Sequence, residues 1–165
     1  LLITQQYRAQ NAELHKDRAD YGTSGKKWAQ VVHMLMQEHG CVSVLDYGCG
    51  KRTLEKALGF PIHNYDPCIE GLDAEPKPAD LVCCTDVLEH IEPRCIDDVL
   101  DDIKRCTGKL TLLTVATVPA KKTLPDGRNA HILLRPVKWW LPELMNRWDL
   151  IAFQDLGPEF MAVMR

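Results

Sequence analysis

Three β-favouring runs, Cys41–Leu45, Pro61–Tyr65 and Leu81–Thr85, each lead straight into an aspartate, and these aspartates, Asp46, Asp66 and Asp86, recur at intervals of twenty residues. Helix-favouring segments follow the first and third runs. After the third, Ile96, Val99, Leu100 and Ile103 fall at i, i+3, i+4 and i+7, which places an apolar stripe along one side of a helix. Alternating strands and helices imply parallel strands with helices on both faces, a doubly wound α/β sheet. Ligands of such sheets sit outside the carboxyl ends of the strands, where the order reverses. The three aspartates stand at those ends. At about 150 residues per domain, 165 residues make a single domain, with residues 1–23 as a helical extension.

The flanking segments fit the same plan. Residues 4–16 are polar and helix-favouring. Ser24 is a suitable N-cap for a helix to about Glu38, with Trp28, Val31, Val32, Leu35 and Met36 as its apolar face and Gly40 as its stop. Residues 67–79 are loop. Pro93 opens the helix that carries the stripe, since its missing N–H costs nothing at that position, and Gly108 ends it. Lys109–Val118 reads as the central strand, followed by a basic, turn-forming loop at Ala120–Ala130. Val137, Trp140, Leu141, Leu144, Met145 and Trp148 mark another helical face, which Pro142 should kink or split. Trp139 lies off that face, placed to stack on a substrate or to shield the sheet. Leu150–Gln154 and Glu159–Met164, joined around Gly157-Pro158, read as a C-terminal antiparallel hairpin.

Composition narrows the setting. Seven cysteines, an odd number with no C-x-x-C pair, point to reduced thiols in a cytoplasm. Cys83 and Cys84, adjacent on one strand, face opposite sides of the sheet and cannot easily bridge. The longest apolar stretch, Leu110–Pro119, is too short to span a bilayer. The N-terminus has neither a basic region nor a cleavage signal, so nothing points to secretion. Its lack of an initiator Met is expected of a trimmed chain or a fragment. Residues 66–106 carry twelve acidic against four basic side chains, whereas residues 119–147 carry six basic against two acidic. A net charge of −3 argues against nucleic-acid binding by charge alone. Lys121, Lys122 and Arg128 are solvated loop charges or a grip for an anionic substrate.

The turn after Asp46, Tyr47-Gly48-Cys49-Gly50, lets backbone approach a ligand closely. Asp66, twenty residues after Asp46, has the spacing at which an acid takes the two hydroxyls of a ribose. A nucleoside-containing cofactor follows. Thr53 stands where a dinucleotide fingerprint needs its third glycine, and no P-loop is present. A carboxylate at the first turn disfavours pyrophosphate and suits a cation such as S-adenosylmethionine, which carries a sulfonium and an ammonium.

Taken together, VLDYGCGKRTL (44–54), NYDP (64–67) and ADLVCCTDVLEHIEP (79–93) resemble motifs of the class I S-adenosylmethionine-dependent methyltransferases. With the element order and terminal hairpin, the resemblance covers residues 24–165 and implies a Rossmann-like, mostly parallel sheet. It implies that Asp46, Gly48, Cys49 and Gly50 meet the methionine moiety, that Asp66 and Pro67 lie at the ribose, and that Asp86 and Val87 border cofactor and substrate. The chain departs from the family at two places. Arg52 replaces the usual third glycine, and only thirteen residues separate Asp66 from Asp80, where relatives fit another helix and strand. Asp73-Ala74 is then the remnant of the strand end that touches adenine.

Methyl transfer mainly requires in-line placement of a nucleophile, aided by a base where the acceptor must lose a proton. Glu89, His90 and His131 are the candidates, with Tyr21 a possible cover. Asp86-x-x-Glu89-His90 with His131 also resembles, loosely, the metal ligands of small-RNA 3′-terminal 2′-O-methyltransferases, but their second histidine cluster is absent and no metal is expected. The expected activity is methyl transfer to a small-molecule or nucleotide-like acceptor, an anionic one included, without membrane association. The alternatives are a nucleic-acid methyltransferase, which is not favoured, and a non-catalytic cofactor-binding subunit.

Overall fold

Gly40 ends the second helix in the left-handed conformation, and from there the chain enters the sheet. The computed structural model describes residues 1–165. Its order is α1 (Gln5–Asp17), α2 (Ala29–His39), β1 (Val44–Tyr47), α3 (Thr53–Leu58), β2 (His63–Tyr65), β3 (Ala79–Thr85), α4 (Ile96–Cys106), β4 (Thr107–Ala116), α5 (Val137–Met145), β5 (Leu150–Asp155) and β6 (Glu159–Met164). The six strands form one sheet in the order β2-β1-β3-β4-β6-β5. Strands β2, β1, β3 and β4 are parallel, while β6 inserts antiparallel between β4 and β5. The chain leaves β1 towards β2 on one side and returns to β3 on the other. That reversal opens the crevice at the carboxyl ends of β1 and β3.

The sheet divides the core into two layers. Stripe residues Ile96, Val99, Leu100 and Ile103 of α4 pack with Trp140, Leu144 and Trp148 on one face, while Trp28, Val32, Leu35, Leu54 and Leu58 cover the other. Each fully buried aliphatic side chain contributes about 1.5–3 kcal/mol. Cys84 belongs to the first layer and Cys83 to the second, as their alternation requires. All seven cysteines are free thiols. Trp139 packs beside the first layer, edge-on to Trp140 at 4.9 Å, so it shields the core.

Local expectations fail where a side chain has a better partner elsewhere. Ser24 does not cap an α-helix: it opens a 3-10 turn, Ser24–Trp28, and its hydroxyl donates to Asp86. Pro93 lies in a tight turn closed by the Cys95 N–H on the Glu92 carbonyl, and the helix begins at Ile96. Gly108 lies inside β4 rather than after α4; a Cβ there would meet the Ala79 carbonyl oxygen at 2.8 Å. Pro142 does not split α5, which runs from Val137 to Met145 and ends three residues beyond the proline. β1 begins at Val44, three residues later than the apolar run, and extends through Asp46 to Tyr47. Between β2 and β3 there is neither helix nor strand. The sheet therefore ends at β2, one element short of the usual family pattern.

Candidate active site

Asp46 is the penultimate residue of β1 and is 3% exposed. Burial, then the nearby Asp66 and Glu55 carboxylates, push its carboxyl up to about 7. No salt bridge compensates that charge, which suits a site awaiting a cation. The turn after it folds tightly. Gly48 has φ +81°, and a Cβ on it would lie 2.5 Å from a Val87 methyl, so the turn packs directly on Val87. Gly50 has φ +50°, and a Cβ there would meet the Gly22 carbonyl oxygen at 2.6 Å. The Gly48 and Cys49 N–H groups both donate to the Tyr65 carbonyl, and the Gly50 N–H donates to Asp66 Oδ2 at 3.1 Å. The turn thus spends its donors within the protein and offers no cradle for a pyrophosphate.

Arg52, in place of the family's glycine, adopts φ +57° and turns outward to pair with Glu55 at 2.7 Å. It does not prop α3 open. Leu54 is fully buried, and a Cβ on Gly25 would touch Leu54 at 3.0 Å. Thr53 ties the same segment down, accepting from the Lys26 N–H and donating to the Thr23 carbonyl.

Asp66 ends β2. Its Oδ1 accepts the Cys68 N–H at 2.9 Å and its Oδ2 the Gly50 N–H. An ionised carboxylate has about four acceptor positions, so two remain for ligand hydroxyls. Two adjoining cavities meet at Gly22, Gly48 and Asp86. One is walled by Asp46, Cys49, Thr85 and Ser24, the other by Asp66, Pro67, Val87 and His90 together with α1 residues. Of the nine cofactor candidates, Asp46, Gly48, Cys49, Asp66, Pro67, Asp86 and Val87 line these cavities. Gly50 lies beneath, sealed by Gly22. Asp73 lies outside both, on the loop surface, where it pairs with Arg8 of α1 at 2.5 Å.

Asp86 follows β3 with φ +59°, an unusual conformation for a non-glycine residue. Its Oδ2 accepts the Ser24 hydroxyl at 2.6 Å. Burial opposes its ionisation, but the Ser24 hydrogen bond and the neighbouring His90 outweigh that and hold its pKa below the ordinary value. His90 lies in a 3-10 turn, Leu88–His90, and His131 at the end of the basic loop; their rings meet edge to face at 4.7 Å. His90 Nδ1 bonds the Ala130 carbonyl at 2.9 Å and His131 Nδ1 the Val118 carbonyl at 2.7 Å. A carbonyl only accepts, so each Nδ1 carries a proton, and in a neutral His90 ring Nε2 keeps the lone pair. Burial depresses the His90 pKa to about 4, which keeps that ring neutral. Asp86, His90 and His131 each bring a ligand atom within 4.8 Å of the other two. They open onto a cleft of about 330 Å³ rimmed by Lys121, Lys122 and Tyr21.

Glu89 takes a different place from its neighbours. It is fully buried and lines none of these clefts; its Oε1 accepts the Ala116 N–H at 2.7 Å and its carbonyl accepts the Leu133 N–H. Burial, and then Asp86, push its carboxyl well above the ordinary range. A neutral acid so placed ties β4 to the loop that carries His131.

Sequence reasoning missed the contribution of α1. Tyr7 donates to the His90 carbonyl at 2.6 Å, Tyr21 donates to Asn11 at 3.0 Å, and the Thr4 N–H and hydroxyl both reach the Glu92 carboxylate. Tyr7, Asn11, His15 and Tyr21 form one wall of the cavity at Asp66. The signal was the spacing of Tyr7, Asn11 and Leu14, the buried face of an otherwise polar helix.

Comparison with known proteins agrees with this geometry. A family model described as a methyltransferase domain matches residues 4–157. Among solved structures, the fold is similar to 1,6-didemethyltoxoflavin-N1-methyltransferase of Burkholderia thailandensis, crystallised with 1,6-didemethyltoxoflavin and S-adenosylhomocysteine (TM-score 0.70, 14% identity, 96% of this chain and 86% of that one). It is also similar to DhpI in complex with S-adenosylhomocysteine (TM-score 0.64, 16% identity, 96% of each chain). A third similar fold is the PH0226 protein of Pyrococcus horikoshii OT3 (TM-score 0.61, 14% identity, 84% of this chain and 89% of that one). No curated protein matches the chain significantly in sequence. With the match running across nearly its whole length, the chain belongs to the methyltransferase-domain family, and its fold is that of methyltransferases crystallised with S-adenosylhomocysteine.

Proposed function

We propose that this enzyme moves the methyl group of S-adenosylmethionine to a hydroxyl or amine of a small-molecule or nucleotide-like acceptor, with an anionic acceptor favoured. The observation that carries this reading is the convergence of Asp86, His90 and His131 where the cofactor cavities meet the lysine-rimmed cleft. Asp46 would face the methionine moiety, with Gly48, Cys49 and Gly50 shaping the turn beneath it. Asp66 would take the ribose hydroxyls, beside Pro67. Val87 and Asp86 would border the transferred methyl, which the sulfonium makes electrophilic. Asp73, paired with Arg8, is left without a part in adenine binding. The apolar side chains Ile3, Val87 and Ile91 line the cavity at Asp66 and suit adenine better.

His131 is the preferred base. Its Nε2 is free, and the Val118 carbonyl fixes its tautomer and orientation. His131 Nε2 would take the acceptor's proton as its oxygen or nitrogen bonds to the methyl group, which S-adenosylmethionine would supply with S-adenosylhomocysteine as the leaving group. Lys121 at the rim would hold a carboxylate or phosphate of the acceptor, while Lys122 is paired with Asp20 of the same cleft at 3.3 Å. The free, mostly buried thiols fit a cytoplasmic setting, and no helix is long and apolar enough to cross a membrane.

A labelled-methyl assay against hydroxylated carboxylates, phosphorylated small molecules and RNA tests the reading. Turnover is expected on a small anionic acceptor, with kcat lowered at least about 100-fold by His131→Ala and cofactor affinity unchanged. Methylation of RNA alone, or full activity without His131, would refute it. A second reading rests on the spacing of the same three groups. One ring nitrogen from each histidine and a carboxylate oxygen of Asp86, all within 4.8 Å of one another, also suit a divalent cation that would grip the acceptor's oxygens. Loss of activity in EDTA, restored by Mn²⁺ or Zn²⁺, would select that arrangement over the base.

A further inference from the structure

The imidazole of His15 makes no hydrogen bond within the protein. It projects from the last turn of α1 into the wall of the cavity at Asp66 and is 12% exposed. Its Nδ1 is buried without a hydrogen-bond partner. Its Nε2 lies 3.8 Å from Asp66 Oδ2, beyond hydrogen-bond reach. Tyr21 packs edge-on against the ring at 4.6 Å, and a Cβ on Gly22 would strike its Cε1 at 2.7 Å, so the ring cannot swing away. Lys51, from the glycine turn, also donates to the His15 carbonyl, which ties the end of α1 to the cofactor turn. A neutral imidazole facing a carboxylate is favoured with its proton on the facing nitrogen, here Nε2. Asp66 keeps two acceptor positions and His15 one donor, all directed into the same space.

A hydroxyl is the group that completes this pair, because it donates one hydrogen bond and accepts two. We propose that His15 is a cofactor-binding residue, its Nε2–H donating to a ribose hydroxyl whose own proton goes to Asp66. The N-terminal helix thereby supplies part of the wall lost with the missing helix and strand after β2. The proposal rests on Asp66 as the ribose acceptor and extends that reading to α1.

Calorimetric titration of the full chain with S-adenosylhomocysteine and its 2′-deoxy and 3′-deoxy analogues tests it, using intact protein, His15→Ala and His15→Gln. His15→Ala is expected to weaken S-adenosylhomocysteine binding roughly three- to tenfold, the range of one net hydrogen bond. His15→Gln, whose amide nitrogen reaches the Nε2 position, is expected to recover most of it. One deoxy analogue should bind the intact protein more weakly and lose nothing further in His15→Ala, a non-additivity that a purely structural role would not produce. Equal affinity of His15→Ala and intact protein, or fully additive losses, would overturn the proposal. Should His15→Ala fail to fold, His15→Phe, which fills the same space without a donor, takes its place in the same comparison with the two analogues. Failure of the intact chain to bind S-adenosylhomocysteine would overturn the cofactor reading beneath it, and is read separately from any effect at His15.

Discussion

Asp46 shows how one side chain ties cofactor chemistry to pH. Its pKa in the folded protein, about 7, lies above the ordinary 3.8. Between those values the folded protein holds a proton that the unfolded chain has lost. Stability therefore falls as pH rises through that window and levels off above about 7, and Asp46→Asn should remove this slope in denaturation curves. A cationic ligand beside Asp46 expels the proton. S-Adenosylmethionine affinity is accordingly expected to rise from pH 5 to about 7 and then flatten, with proton release detectable by calorimetry in buffers of different ionisation enthalpy. A pH-independent affinity in the intact protein would contradict this placement. The glycines give a sharper steric contrast. Gly50→Ala meets both a positive φ and backbone at 2.6 Å, whereas Gly40, at φ +59°, has nothing within 4 Å. In thermal denaturation Gly40→Ala should cost about 1–2 kcal/mol, the left-handed penalty alone, and Gly50→Ala clearly more. Equal costs would show that the turn is not sealed by Gly22.

At the scale of elements, legibility followed how local the information was. The α4 stripe and the terminal hairpin were plain because periodicity and turn residues settle both without reference to the rest of the chain. Leu100, fully buried on that stripe, should cost about 2–5 kcal/mol when replaced by Ala, and a loss below about 1 kcal/mol would contradict its place in the core. The strand-end aspartates were legible for the same reason. Ser24, Gly108 and His15 were not. Ser24 is a good cap by type, but Asp86, 62 residues away, takes its hydroxyl. Gly108 looks like a helix stop, yet what requires it is the approach of the Ala79 backbone. A polar helix such as α1 says little about which face it buries, so His15 could be found only once Asp66 was placed beside it. The α1 attachment has its own test: Tyr7→Phe removes the hydroxyl on the His90 carbonyl. Faster amide exchange in α1, with β1, β3 and β4 unchanged, is expected; uniform acceleration would mean that α1 is integral to the core.

At the scale of the molecule, the chain keeps the parallel half and antiparallel hairpin of its family while ending the sheet early at β2. Its α1 packs over the cavity there, so the edge lost from the sheet is partly rebuilt from the N-terminus. Acidic charge gathers before residue 106 and basic charge beyond residue 119. The basic loop carries Lys121, Lys122 and His131 to the cleft beside Asp86 and His90. In the proposed reading, cofactor and acceptor would approach from different sides and meet at Asp86 and His90. The central claim is that the strand-end carboxylates build an S-adenosylmethionine site, and titration of the intact chain and Asp66→Ala with S-adenosylmethionine tests it most directly. The account predicts saturable one-to-one binding by the intact chain, weakened at least about tenfold in Asp66→Ala, with thermal unfolding confirming that the variant is folded. Equal binding by the two proteins, or none by the intact chain, would contradict it.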